Sequence, residues 1–167
     1  MAVTTLIPVE EYLSTSYEDG DREYIDGQVV ERNVGENQHA LIQTAIAAYL
    51  FTRYRQYRTV VECRMKVTKT RYRIPDVCLV TGAYPTKRGP LADPPFLVVE
   101  VLSPDDRAGD MEEKIADYFS CGVKYIWIVN PETQRAFVHT PEGSREAKGV
   151  LRTENPVIEF PLSEIFQ

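Results

Sequence analysis

Residues 96–102 read FLVVEVL and residues 123–129 read VKYIWIV, two nearly unbroken apolar runs. Runs of this kind belong to strands buried on both faces, as in the middle of a sheet covered by helices. Between them, residues 110–121 (DMEEKIADYFSC) place Met111, Ile115, Tyr118 and Phe119 at helical spacing, and Gly122 follows as a stop. Strand, helix and strand in that order make a crossover, so the spacing predicts a parallel strand pair with a helix on one face. The fold class that follows is α/β, a mixed β-sheet flanked by helices.

The rest of the chain fits that class. An opening TTLIPVEEYL predicts a short helix entered through Pro8, and REYIDGQVVERN predicts a hairpin about Asp26-Gly27. From Glu36 to Tyr54 a long helix is expected, with Ile42, Ala45, Ile46, Tyr49 and Leu50 as its buried stripe. Residues 58–68 and 73–80 read as strands, and TGAYPTKRGPLADPP as an exposed Gly/Pro loop. Short strands at 135–139, 146–152 and 157–160 and a final short helix at 162–166 complete the expectation. No repeat or long linker interrupts the 167 residues. A single domain over 1–167 is therefore expected, within the usual domain length of about 100–200 residues.

Composition narrows the chemistry. Cys63, Cys78 and Cys121 are scattered and odd in number, which suits neither a disulfide framework nor a zinc cluster. No apolar run reaches the ~18 residues of a membrane helix. The N-terminus lacks the pattern of a secretory signal, so a cytoplasmic location is expected. Net charge is −6, which argues against unspecific nucleic-acid binding. Yet Arg53, Arg55, Arg58, Arg64, Lys66, Lys69, Arg71 and Arg73, interleaved with Tyr54, Tyr57 and Tyr72, form a basic stripe. It reads either as a surface for a phosphate backbone with stacking rings, or as a solvated helix end and strand face.

Glu100 is the residue that does not fit a purely structural reading. An ionised carboxylate in the middle of a dry strand costs several kcal/mol unless it is paired. A strand end open to solvent or an arginine partner would resolve this structurally; a metal ion or a lysine would resolve it functionally. Asp76, after Pro75 in RIPDVCLV, is the natural second acid, although alone it is an ordinary turn residue. Side chains alternate across a sheet, so neighbouring strands in suitable register would converge Asp76 and Glu100 on one spot. Two hard oxygen ligands suit Mg²⁺ or Mn²⁺.

IPDVCLV, PPFLVVEVLSPDDR and DMEEKIADYFSCGVKYIWIVNPE together resemble the Uma-two family of restriction endonucleases, a branch of the PD-(D/E)XK nuclease superfamily. The likeness runs from about Glu23 to about Pro131. It implies a restriction-endonuclease-like α-β-β-β-α-β core and metal-dependent hydrolysis of phosphodiester bonds in nucleic acid, with DNA as the expected substrate. One departure stands out: the superfamily's usual lysine, two residues after the glutamate, is here Leu102. The resemblance implies that a lysine on the next helix, Lys114, takes its place; without it, Lys114 is a solvent lysine flanked by Glu112, Glu113 and Asp117. Asp110 reads as a cap for that helix.

The resemblance also implies an acidic residue and a histidine near the site at the start of the first long helix, where this chain has Glu36 and His39. Glu36 would be a third metal ligand and His39 would bind phosphate or shuttle a proton. The structural alternative is an exposed helix N-terminus with a surface histidine. Ser103 ends the strand and reads either as a hydrogen-bonding group within the site or as a cap of the turn before Pro104, the structural role being the preferred one. No Ser/His/Asp arrangement is expected, because GxSxG is absent and only two histidines occur. Two other readings stay open: a catalytically inactive nuclease-fold module that binds nucleic acid or protein, and a chain devoted to assembly. The hairpin and the aromatic YIWIV strand lead to the expectation of a homodimer.

Overall fold

The computed structural model describes residues 5–33, 35–83 and 88–167. Residues 1–4, residue 34 and residues 84–87 of the Gly/Pro loop lie outside them. Helix α1 (Val9–Ser14) starts after Pro8. A hairpin of β1 (Glu23–Ile25) and β2 (Gln28–Val30) follows. Asp26 at φ 49° and Gly27 at φ 93° form its two-residue turn, since paired positive φ values match the strand twist. Helix α2 (Asn37–Arg53) buries Ile42, Ile46 and Leu50, four residues apart and therefore on one stripe.

The largest sheet is built from β3 (Arg58–Val61), β6 (Val77–Val80), β7 (Leu97–Val101), β8 (Tyr125–Asn130), β9 (Arg135–Thr140) and β10 (Gly143–Glu146). Its order is β10-β9-β8-β7-β6-β3. Only β7 and β8 pair in parallel among these, joined by α3 (Ala108–Cys121), as the crossover pattern predicts. Gly122 ends α3 in the left-handed region at φ 110°, where a side chain would be strained. In chain order α2, β3, β6, β7, α3 and β8 make the α-β-β-β-α-β core.

Between β3 and β6 the chain leaves this sheet. Strands β4 (Met65–Thr68) and β5 (Arg71–Arg73) instead extend the N-terminal hairpin in the order β2-β1-β5-β4. The expected strand over 58–68 is thus two strands in two sheets, broken at Glu62, whose φ is 48°. The expected strand over 73–80 also divides, because Pro75 has no N–H for a ladder. Likewise 146–152 separates into the last residue of β10 and the whole of β11 (Val150–Arg152), which pairs β12 (Glu159–Pro161). The final helix is a single 3₁₀ turn, Leu162–Glu164.

Both faces of the large sheet are covered. Val77, Leu79, Leu97, Val99 and Val101 point to the α2 side, with Trp127 behind them. Cys78, Val98, Ile126 and Ile128 point to the α3 side, where they meet Tyr118. Each fully buried aliphatic side chain contributes about 1.5–3 kcal/mol, so these two layers fix the strand alternation. Leu91, within the loop expected to be exposed, is buried and joins the α3-side layer. The aromatic run YIWIV is β8, between β7 and β9, with Ile126 and Trp127 fully buried. It is therefore not a surface through which subunits could meet. No helix among the described residues is long and apolar enough to cross a membrane.

Candidate active site

Strands β6 and β7 run antiparallel with Val77 opposite Val99, which carries Asp76 and Glu100 to adjoining positions one step further along. Both are buried, at 2% and 3% exposure. Both line one polar cavity of about 540 Å³ at the carboxyl end of β7. The Val101 amide donates to Asp76 Oδ2 at 2.7 Å. Asp76 Oδ1 faces Arg32 Nη2 at 3.0 Å and His39 Nε2 at 3.4 Å. The Tyr118 hydroxyl, reaching in from α3, donates to Glu100 Oε1.

Lys114, one turn before Tyr118, brings its Nζ to 3.8 Å from Glu100 Oε2 and 3.5 Å from Glu23 Oε1. Burial works against its charge, but Glu100, Glu23 and Asp76 outweigh burial and raise its pKa. It is an ammonium. Glu100 moves the other way from most carboxyls. Burial is the main cause and pushes its pKa up to about 7; Lys114 and the Tyr118 hydrogen bond oppose that rise, while Asp76 and Glu23 add to it. Leu102, where the superfamily pattern has lysine, packs against the α3-side layer instead.

His39 reaches the cavity from the first turn of α2. Its hydrogen bond to Asp76 raises its pKa against the effect of burial. Its Nδ1 lies 3.3 Å from Ser103 Oγ. Ser103, His39 and Asp76 thus form a chain of contacts, contrary to the expectation that no such arrangement exists. The absence of GxSxG was a poor guide, because the three residues come from three separate elements. Both links are long, and Asp76 is committed to Arg32 as well.

Glu36 is not brought to the acid pair. It is the residue before α2, exposed, beside a smaller hollow lined by His39, Ser103 and Asp106. A helix turn separates it from His39, and only the latter reaches Asp76. The third carboxylate near the pair is Glu23, at the start of β1. It accepts the Ile74 amide on Oε1 at 3.0 Å and Arg73 Nη1 on Oε2 at 3.0 Å. Arg73 in turn binds Asp117 of α3, with Nε at 2.7 Å from Oδ2. Sequence reading missed this network because Glu23 looks like an outward residue of a hairpin. The available signal was Arg71 and Arg73 two apart on a strand, which places both on one face. Asp110 does not cap α3; Arg107 holds that position, and Asp110 lies in the first turn at the cavity wall.

The basic stripe does not survive as one surface. Arg64 binds Asp21 and the carbonyls of Tyr12 and Thr15. Arg71 binds Asp26, Glu113 and Asp117, and Arg73 is buried. Two of these three cations pair with α3, so they dock the extended hairpin sheet onto the helix that carries Lys114.

Among the described residues no group of three or more His, Cys, Asp or Glu side chains forms a ready metal cage. A divalent ion such as Mg²⁺ does not require one, since it keeps several waters and uses one or two carboxylates. The donors fit that pattern: Asp76 and Glu100 are hard oxygen ligands, buried side by side in one polar cavity.

Comparison with known proteins agrees with the architecture. A crystal structure from Anabaena variabilis, described as a "putative nuclease belonging to DUF820", matches with a TM-score of 0.77 at 20% identity. The match covers 96% of this chain and 97% of that one, a likeness of fold alone at such identity. No curated protein matches the chain. The model of the Uma2 family, described as "Putative restriction endonuclease", matches residues 9–165. This chain belongs to the Uma2 family.

Proposed function

We propose that the chain is a divalent-metal-dependent endonuclease of the cytoplasm that hydrolyses phosphodiester bonds in nucleic acid, with DNA as substrate. The observation that carries this reading is the meeting of Asp76 and Glu100, from neighbouring strands, in one polar cavity with the Lys114 ammonium 3.8 Å from Glu100. Asp76 and Glu100 would hold Mg²⁺ or Mn²⁺, which when bound supplies Lewis acidity and lowers the pKa of water. Lys114, held charged by three acids, orients the attacking water and offsets negative charge on the phosphorane. Its raised pKa favours that role over proton abstraction. His39, hydrogen-bonded to Asp76 and half-buried, is the group suited to carry a proton at neutral pH. Glu23 positions Lys114 on the side away from Glu100.

A second reading is a nuclease-fold module that binds without cleaving. It is favoured by the ion pairs of Asp76 with Arg32 and of Glu100 with Lys114, which already offset both acids. Cleavage of single-stranded and duplex DNA and RNA in Mg²⁺ and Mn²⁺, with Glu100→Gln as control, separates the two. Loss of cleavage in that variant is expected. No cleavage by the wild type while it binds DNA favours the module; equal cleavage by the variant removes Glu100 from the chemistry. A homodimer remains part of the proposal, because two sites would suit duplex cleavage; sedimentation measures it.

A further inference from the structure

Arg32 lies two residues beyond β2, on a connecting segment rather than a strand. Its Nη2 is 3.0 Å from Asp76 Oδ1 and its Nη1 is 3.7 Å from Glu62 Oε1. The other Asp76 oxygen is taken by the Val101 amide. Oδ1 is faced by Arg32 and, at 3.4 Å, by His39 Nε2, so a metal ion taking that oxygen must displace the Arg32 guanidinium. A guanidinium and a divalent ion cannot share one carboxylate oxygen without strong repulsion in a partly buried site.

The cavity's two arginines are built differently. Arg73 has a side chain only 6% exposed and is held by Glu23 and Asp117. The Arg32 side chain is 21% exposed and, among the described residues, its ion pairs are with Asp76 and the exposed Glu62. Arg73 is thus committed to the fold, whereas Arg32 can exchange partners. Its planar fork of donors matches a phosphate as well as a carboxylate.

We infer that Arg32 is the phosphate-binding residue of this site and works by exchange. It is paired with Asp76 while no divalent ion is held there, and transferred to an oxygen of the substrate phosphate once one is. The inference rests on the nuclease reading above. It adds a built-in competition: the residue that grips substrate also opposes metal loading, so each binding event favours the other.

The test compares wild type, Arg32→Gln and Arg32→Lys, first by calorimetric titration with Mn²⁺ and then with a short fluorescent DNA duplex at saturating Mn²⁺. Arg32→Gln removes the competing cation and is expected to bind Mn²⁺ about tenfold more tightly. It should also bind the duplex more weakly and cleave it about 100-fold more slowly at saturating metal. Arg32→Lys keeps the charge without the fork, so its metal affinity stays near wild type while duplex binding falls. Unchanged Mn²⁺ affinity in Arg32→Gln, or unchanged duplex binding, overturns the exchange. Wild type that cleaves in a Glu100-dependent manner alongside an unaltered Arg32→Gln removes this inference alone. Wild type that binds no Mn²⁺ removes the nuclease reading and the exchange together.

Discussion

The Val101 amide donates to Asp76 Oδ2 at 2.7 Å, so the strand that carries Glu100 also clamps the carboxylate contributed by its neighbour. Asp76, in the bend just before β6, is thereby tied to the β7 strand that holds Glu100. That rigidity is what a pair of metal ligands needs, because misplacement by about 1 Å costs a catalytic site much of its rate. It also gives Asp76 a structural duty beside any chemical one.

Asp76→Ala should therefore destabilise the metal-free protein. It leaves the Val101 amide without an acceptor and Arg32 without its closest partner, a loss of about 2–4 kcal/mol. Asp76→Asn keeps an oxygen for the Val101 amide and should lose about half as much. Urea unfolding of both variants measures the difference. Equal stability of wild type and Asp76→Ala would show that the clamp contributes nothing. If the loss is found, inactivity of Asp76→Ala alone is weak evidence for chemistry, and Glu100→Gln is the cleaner control.

Glu100 makes stability depend on pH with a definite sign. Its pKa in the folded protein is about 7, above the ordinary 4.5, so between those values the native state binds the proton more firmly than the unfolded chain. Its contribution is fully present below pH 4.5 and is lost as pH rises through 7. Metal-free protein should lose on the order of 3 kcal/mol across that window from this group. Glu100→Gln, neutral at every pH, should flatten the curve and be the more stable protein at pH 8. Thermal or urea unfolding from pH 4 to 8 reads both; an unchanged slope in Glu100→Gln would assign the dependence elsewhere.

Much of the architecture was legible because burial leaves a pattern. The two apolar runs became β7 and β8, and the amphipathic segment between them became α3, with Gly122 at its end. Glu100 stood out for the same reason: it interrupts a pattern that burial makes strict. What stayed hidden depends on pairing between distant segments. That β4 and β5 leave the main sheet for the hairpin follows from Glu62 adopting a left-handed backbone, which its residue type does not announce. Glu23 and Arg73 looked like surface alternation because a charged residue facing a second charged residue reads the same as one facing water. His39 and Ser103 meet only through the packing of α2 against the strand ends, a relation without local signature.

Arg73 provides the sharpest test of that hidden network. It is buried between Glu23 and Asp117, so Arg73→Met strips the shared cation from both carboxylates and leaves Glu23 to Lys114 and Asp117 to Arg71. Breaking a buried pair in this way costs about 3–5 kcal/mol, mostly the penalty of the stranded charge. The expected result is a large fall in unfolding free energy, partly recovered when Glu23→Gln is combined with it. A fall no larger in Arg73→Met than in an exposed arginine variant would mean that the network is not a stabilising element.

Tyr118→Phe separates packing from electrostatics at Glu100. The ring is fully buried against Cys78 and Val98 and stays so in the variant, while the hydroxyl that donates to Glu100 Oε1 is lost. That hydrogen bond favours the charged carboxylate, so its removal should raise the Glu100 pKa above the wild-type value of about 7. The pH at which metal-free stability falls should move upward with it, and Mn²⁺ affinity at pH 7 should drop because more of Glu100 is protonated. The same variant should cost only about 1 kcal/mol below pH 4.5, where the carboxyl is neutral in both states. An unshifted midpoint would mean that the hydroxyl does not tune this acid, and that burial, Lys114 and the neighbouring acids Asp76 and Glu23 set its charge.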